Sequence, residues 1–199
     1  MVFSAFEFLF EFLPGAWTVY WLATRFLGMR WAVWLLAVMS VGFYGQWKSE
    51  YVPLLLGSVC VNFFLSHRLG PEMPKSRLLL ATGLGLNLAT LFWFKYAAFV
   101  SSVGADLGWW PERLPNQVLP LGISFFTFTQ ITYLVDRHRG VATQTTFSRF
   151  LLFVSFFPHL IAGPVLHHAQ MMPQFESNRM SLERFCLGLH IFAVGLAKK

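Results

Sequence analysis

Charged residues interrupt this sequence at intervals close to the thickness of a bilayer, and almost purely apolar runs lie between them. Seventeen uncharged residues separate Arg30 from Lys48, seventeen run from Tyr51 to His67, and seventeen more from Leu78 to Phe94. The run from Leu114 to Val135 is 22 residues long and that from Phe150 to Phe175 is 26. An opening run lies between Glu11 and Arg25, which Phe3 to Phe10 can extend, and a closing run covers Phe185 to Ala197. A helix needs about 20 residues to cross the hydrocarbon, and fewer when flanking Lys, Arg or Trp reach for the interface. The pattern predicts an all-α, polytopic transmembrane protein: one membrane domain over residues 1–199 with about seven membrane segments, some of them re-entrant.

Composition closes off the soluble alternatives. The chain is 56% hydrophobic and 12% charged, with a mean hydropathy of +0.55. That is about half the charge of an ordinary soluble domain, and a soluble fold of this size cannot bury so much apolar surface. The 23 Phe suit lipid-facing surfaces and the 8 Trp suit the interface belts. A net charge of +6 raises the question of nucleic acid, but that function needs a clustered basic patch. Here the cations are scattered singly or in short groups, as in loops that orient a membrane protein, so no nucleic-acid partner is expected. Cys60 and Cys186 both sit in apolar segments, with no paired or CxxC spacing to indicate disulfides or zinc.

The loops set an orientation. With the N-terminus outside and seven crossings, ten basic residues fall on the cytoplasmic side, among them Arg25, Arg30, Arg68, Arg137 and Arg149, and five on the outer side. Seven of the nine acids fall outside. The excess of Lys and Arg within favours an outward N-terminus.

Two segments are too polar or too broken for plain lipid-facing helices. The first, Leu119 to Asp136, carries Ser124, Gln130 and Tyr133, with Pro120 and Gly122 at its opening. Steps of three and four place Gln130, Tyr133 and Asp136 or Arg137 on one face. Such a face serves either interhelical hydrogen bonding that holds a bundle together or the lining of a polar cavity. Asp136 to Arg139 marks the cytoplasmic helix end. The second segment, Phe156 to Val165, frames His159 between Pro158 and Pro164, so nearby carbonyls lose their helical donors. His159 is either a neutral imidazole satisfying such a carbonyl or a proton-transfer or ligand-contacting group. His167 and His168 read as interfacial loop residues. No metal site is expected, because no acidic or Cys partners stand at ligand spacing. Gly83 and Gly85 permit close helix packing; without a third glycine or a preceding strand they are no nucleotide fingerprint.

Several ordered segments resemble the membrane-bound O-acyltransferases, most closely the bacterial branch that acetylates alginate and related exopolysaccharides. They are Met1 to Ser4 with Phe8 to Phe10 and Phe12 to Pro14, Ser40 to Tyr44 leading to Trp47, and Phe94-Lys95-Tyr96. The most specific are Leu119 to Phe125, Tyr133 to Asp136 before Arg139-Gly140, and Phe157-Pro158 through Ile161-Ala162-Gly163-Pro164.

The resemblance implies the N-terminal part of a helical horseshoe around a thin central floor. Through it a cytoplasmic activated acyl group, with acetyl-CoA as the expected donor and no bound cofactor, meets an acceptor polysaccharide on the other side. It also implies the bacterial cytoplasmic (inner) membrane, an N-terminus on the periplasmic side, and periplasmic acetyltransferase partner proteins. Ser124, Gln130, Tyr133 and His159 are the expected tunnel lining. The family's histidine lies in a Trp-x-x-Trp-His pattern, whereas the last tryptophan here is Trp110, so no catalytic residue is expected in this chain and it is expected to be inactive alone. Three rival readings remain open: a D-alanyl transfer protein for teichoic acid within the same family, a transporter half, and a non-catalytic scaffold.

Overall fold

The computed structural model describes residues 6–109, 111, 114–115, 118–160, 167–176 and 182–198, and every regular element among them is a helix. A π-helical turn at Phe8–Phe12 runs directly into α1 (Leu13–Phe26). The wide turn ends just before Pro14, whose ring nitrogen has no hydrogen to donate, so the local change of register leaves fewer ladder bonds broken. Leu27 and Gly28, the latter at φ 86°, both donate to the Ala23 carbonyl and reverse the chain into α2 (Met29–Trp47). Glycine suits this turn because its φ lies in the left-handed region.

A short 3-10 turn, Ser49–Tyr51, leads into α3 (Val52–His67), and a loop containing Pro71 and Pro74 leads into α4 (Ser76–Lys95). These two helices, the first counted with its 3-10 turn, are long and apolar enough to cross a membrane. Only 22% and 17% of their apolar windows are buried inside the protein. A core helix of a soluble domain would be buried on most sides; these expose Phe64, Leu78 and Phe92 outward, as lipid-facing helices do. Next come α5 (Ala97–Asp106), α6 (Ile123–His138), α7 (Phe147–Ser155), α8 (Phe157–Leu160), α9 (His168–Glu176) and α10 (Leu182–Ala197).

Two of the expected runs take a different form. The Leu114–Val135 run does not form a 22-residue span: α6 starts only at Ile123, after Gly122 turns the backbone to φ 66°. The Phe150–Phe175 run is likewise not one helix. It breaks at Phe156 (ψ 110°), two residues before Pro158, whose missing N–H and bulky ring do not allow a continuous helix to carry the bond to the Val154 carbonyl. The break expected at Gly163-Pro164 lies outside the described residues. At nine residues α7 is about 14 Å long, too short to cross a bilayer alone.

This short helix occupies the centre. Phe150, Leu152, Phe153 and Ser155 are fully buried, and α7 packs against α2, α3, α6 and α9. Around it α1 pairs with α2, and α4 with α6. The N-terminal turn reaches the far side of the break: Phe12 lies 4.9 Å from Phe43 and 5.0 Å from Phe157, ring centre to ring centre. That aromatic cluster fixes α8, and with it His159, against the π-helical turn and α2.

Candidate functional site

The polar side chains of α6 face inward and divide into two groups. In the middle of the helix Gln130 is fully buried; its amide donates to the Ser58 hydroxyl at 3.0 Å and its oxygen accepts from it at 3.3 Å. One turn along α3, Asn62 exchanges amide hydrogen bonds with Asn87 of α4, at 3.3 and 2.6 Å. Each asparagine also donates to the carbonyl four residues before it, Ser58 and Gly83 respectively. These contacts form a satisfied polar seam across α3, α4 and α6. Sequence reasoning missed Ser58, Asn62 and Asn87. The signal was present: two polar residues four apart in an otherwise apolar run must find partners, since hydrocarbon offers none.

Tyr133, one turn below Gln130, is buried against Phe150 and His168, both with ring centres 4.9 Å away, and its hydroxyl donates to the Thr143 carbonyl at 3.4 Å. His168 is therefore not the interfacial loop residue expected from sequence. It is 5% exposed at the start of α9, held between Tyr133 and Phe153. Its neighbour His167 remains half open to solvent and approaches the Asp136 carboxylate at 3.0 Å.

The second group closes the C-terminal end of α6. Arg137 donates to three carbonyls, Ser66 at 3.3 Å, Leu69 at 3.0 Å and Ala142 at 2.8 Å. A guanidinium placed there meets the negative end of α3 and satisfies carbonyls the helix cannot. His138 meets the Ser76 hydroxyl at 2.7 Å, joining α6 to the first residue of α4.

Ser124 and His159 lie apart from both groups. Ser124 is half-buried in the first turn of α6. His159 is 6% exposed, and its Nδ1 has no hydrogen-bond partner among the described residues. The sequence offered two readings of this histidine; its imidazole lies beside the Phe156 backbone, as the carbonyl-satisfying reading has it, and its Nδ1 is left for the other. The backbone beside it is tightly set: a Cβ on Gly122 would meet the Leu160 carbonyl, so the start of α6 abuts the end of α8. The four expected lining residues thus do not form one cluster. Gln130 and Tyr133 share a face and are each bonded to neighbouring elements, while the buried Nδ1 of His159 has no partner among the described residues.

Membrane-length apolar helices, an apolar exterior and a polar seam turned inward define a polytopic helical membrane protein. Comparison with known proteins narrows this. Over its whole length the chain is 37% identical to a probable alginate O-acetylase of Pseudomonas putida, covering 42% of that protein. It is 35% identical to a peptidoglycan O-acetyltransferase of Helicobacter pylori, covering 44% of it, and 35% identical to a probable alginate O-acetylase of Pseudomonas aeruginosa, covering 39%. The chain belongs to the membrane-bound O-acyltransferase family. It spans less than half the length of these relatives. No family model and no solved structure matches it.

Proposed function

We propose that this chain forms part of an O-acetyltransferase of the bacterial cytoplasmic membrane, one that carries acetyl groups to a polysaccharide on the periplasmic side. The similarity of all 199 residues to proteins named as alginate and peptidoglycan O-acetyltransferases is the observation that carries the reading. The two acceptors named are both glycans, so the acceptor class proposed is a cell-surface or exported polysaccharide.

The reaction is acyl transfer from an activated donor, with acetyl-CoA as the proposed source. The acceptor hydroxyl oxygen bonds to the acetyl carbonyl carbon, the carbon–sulfur bond breaks, and the hydroxyl proton passes by way of a general base to the departing thiolate. The proposed base is a histidine of the intact protein outside these residues, since an imidazole titrates near working pH. The present helices supply the scaffold and part of the passage wall. Within that wall Gln130 and Tyr133 hold shape, because their polar atoms are engaged with Ser58 and Thr143. Ser124 and His159 are the residues proposed to face the passage; the buried Nδ1 of His159, without a partner among the described residues, supports this for the histidine. The N-terminus is placed in the periplasm, where periplasmic acetyltransferase partners would receive or extend the transfer.

Deletion of the full gene, followed by mass analysis of polysaccharide acetyl content, tests the activity; unchanged acetylation sinks it. Complementation with His159→Ala and His159→Asn tests the wall. Acetylation is expected to fall at undiminished membrane abundance, and full acetylation in both variants would remove His159 from the passage.

A further inference from the structure

Asp136 and His167 form a carboxylate–imidazole pair that the acyl-transfer reading leaves without a task. Nδ1 of His167 lies 3.0 Å from Oδ2 of Asp136. An ionised carboxylate only accepts hydrogen bonds, so Nδ1 donates and Nε2 is left as the working nitrogen. Asp136 is buried, whereas about half of the His167 side chain is open. One partner holds, and the other reaches out of the protein.

The backbone fixes both ends of the pair. The Asp136 carbonyl accepts from the amides of Val141 and Ala142, which turn the chain back at the end of α6. The His167 carbonyl accepts from the amides of Gln170 and Met171 and so begins α9. Arg137, the next cation along the chain, is engaged with the carbonyls of Ser66, Leu69 and Ala142. The Asp136 carboxylate is therefore left to the imidazole, and a buried carboxylate is costly without such a partner. A histidine oriented through Nδ1 by a buried carboxylate, with Nε2 open, is arranged for general acid–base chemistry.

Position selects the step. Asp136 lies one turn beyond Tyr133 on α6, and His168, next to His167, packs on the Tyr133 ring at 4.9 Å. The pair thus stands at the end of the proposed passage wall. Arg68, Arg137 and Arg139 gather at this same end, where α3 and α6 finish. In the acyl-transfer reading the activated donor arrives on this arginine-rich side. We infer, resting on that reading, that His167 is the acid that protonates the thiolate leaving the acyl donor, with Asp136 positioning it. As the acceptor oxygen bonds to the acetyl carbon, the carbon–sulfur bond breaks and its electron pair goes to sulfur, which takes the proton from Nε2. The imidazole regains a proton from water on its open side, and the base that took the hydroxyl proton returns it to water.

The test is acetyl transfer from radiolabelled acetyl-CoA to polysaccharide, in membranes that carry the intact protein. His167→Asn keeps an N–H near the place of Nδ1, and with it the bond to Asp136, but has nothing in place of Nε2. It is expected to lower kcat about 100-fold with KM for acetyl-CoA little changed. His167→Ala is expected to lose as much and to recover about tenfold when free imidazole is added. Asp136→Asn should lower kcat less, since the imidazole stays and only its orientation is lost. A pair that merely ties α6 to α9 gives the opposite pattern: His167→Asn stays active, and imidazole does nothing for His167→Ala. Either result overturns the inference, and His167→Asn alone decides if His167→Ala does not fold. Absence of transfer by the wild-type protein overturns the acyl-transfer reading itself, and the role of His167 with it.

Discussion

Gly122 faces the carbonyl of Leu160 so closely that an added Cβ would stand 2.5 Å from its oxygen. The same glycine has φ 66°, where L side chains are strained. Two penalties therefore fall on one position, and the obstacle is backbone, which cannot rotate aside.

Gly122→Ala is expected to be the most damaging added methyl among the described glycines. The left-handed backbone costs about 1–2 kcal/mol and the forced contact roughly 1–3 kcal/mol more. Thermal unfolding in detergent would show it as a large drop in midpoint or as loss of the monodisperse peak; an unaltered midpoint contradicts the close approach of α6 and α8.

Gly83 and Gly85 separate cleanly, although the sequence treats them alike. A Cβ on Gly83 would stand 2.7 Å from Leu134 Cδ1, whereas one on Gly85 meets nothing within 4 Å. Gly83→Ala is expected to cost about 1–3 kcal/mol as α4 is pressed off α6. Gly85→Ala should be neutral or stabilising by up to about 1 kcal/mol, from helix propensity. Leu134→Ala should cost less on the Gly83→Ala background than on its own, because the added methyl then meets open space. Equal effects at both glycines would refute the packing.

The Asn62–Asn87 pair predicts non-additivity. Replacing either with leucine strands an amide, and replacing both removes the need for a partner. A double-mutant cycle measured by denaturant unfolding in micelles should give a coupling of about 0.5–2 kcal/mol. Strictly additive losses would mean that the two amides do not bond.

Arg137→Gln removes a charged donor from three carbonyls and should destabilise the protein by about 2–4 kcal/mol. Arg137→Lys, with one ammonium in place of a planar fork, should fall between it and wild type. A shifted unfolding midpoint in that order supports the clamp; a glutamine variant as stable as the lysine one does not.

Charge spacing marked the plain helices well. The apolar stretches beginning after Arg30, at Tyr51 and at Leu78 correspond within two residues to α2, α3 and α4, because solvated charges and lipid-facing side chains obey one physical boundary. The rule weakens where burial is inside protein. The residues of α7 read as another membrane run because a helix buried on all sides is as apolar as one in lipid, and composition does not separate the two. Proline was visible near the break, yet the stop falls at Phe156, where local backbone sterics rather than hydropathy decide. In the candidate site, the inward face of α6 followed from its period. Its partners Ser58, Asn62 and Asn87 did not, because one chain read alone does not say which neighbouring helix lies opposite. His168 was misplaced for a related reason: only the packed Tyr133 and Phe153 rings reveal that it is enclosed.

The Arg137 clamp also imposes a sequence in time. Its carbonyl partners on α3 and the following loop, Ser66 and Leu69, lie 71 and 68 residues upstream. A ribosome delivers that stretch long before the arginine emerges. Until α6 arrives, α3 waits with its end unsealed and Ser58 without its glutamine. The hairpin of α3 and α4 is therefore a provisional arrangement, committed to its place only when a later segment locks it at the C-terminal end of α3.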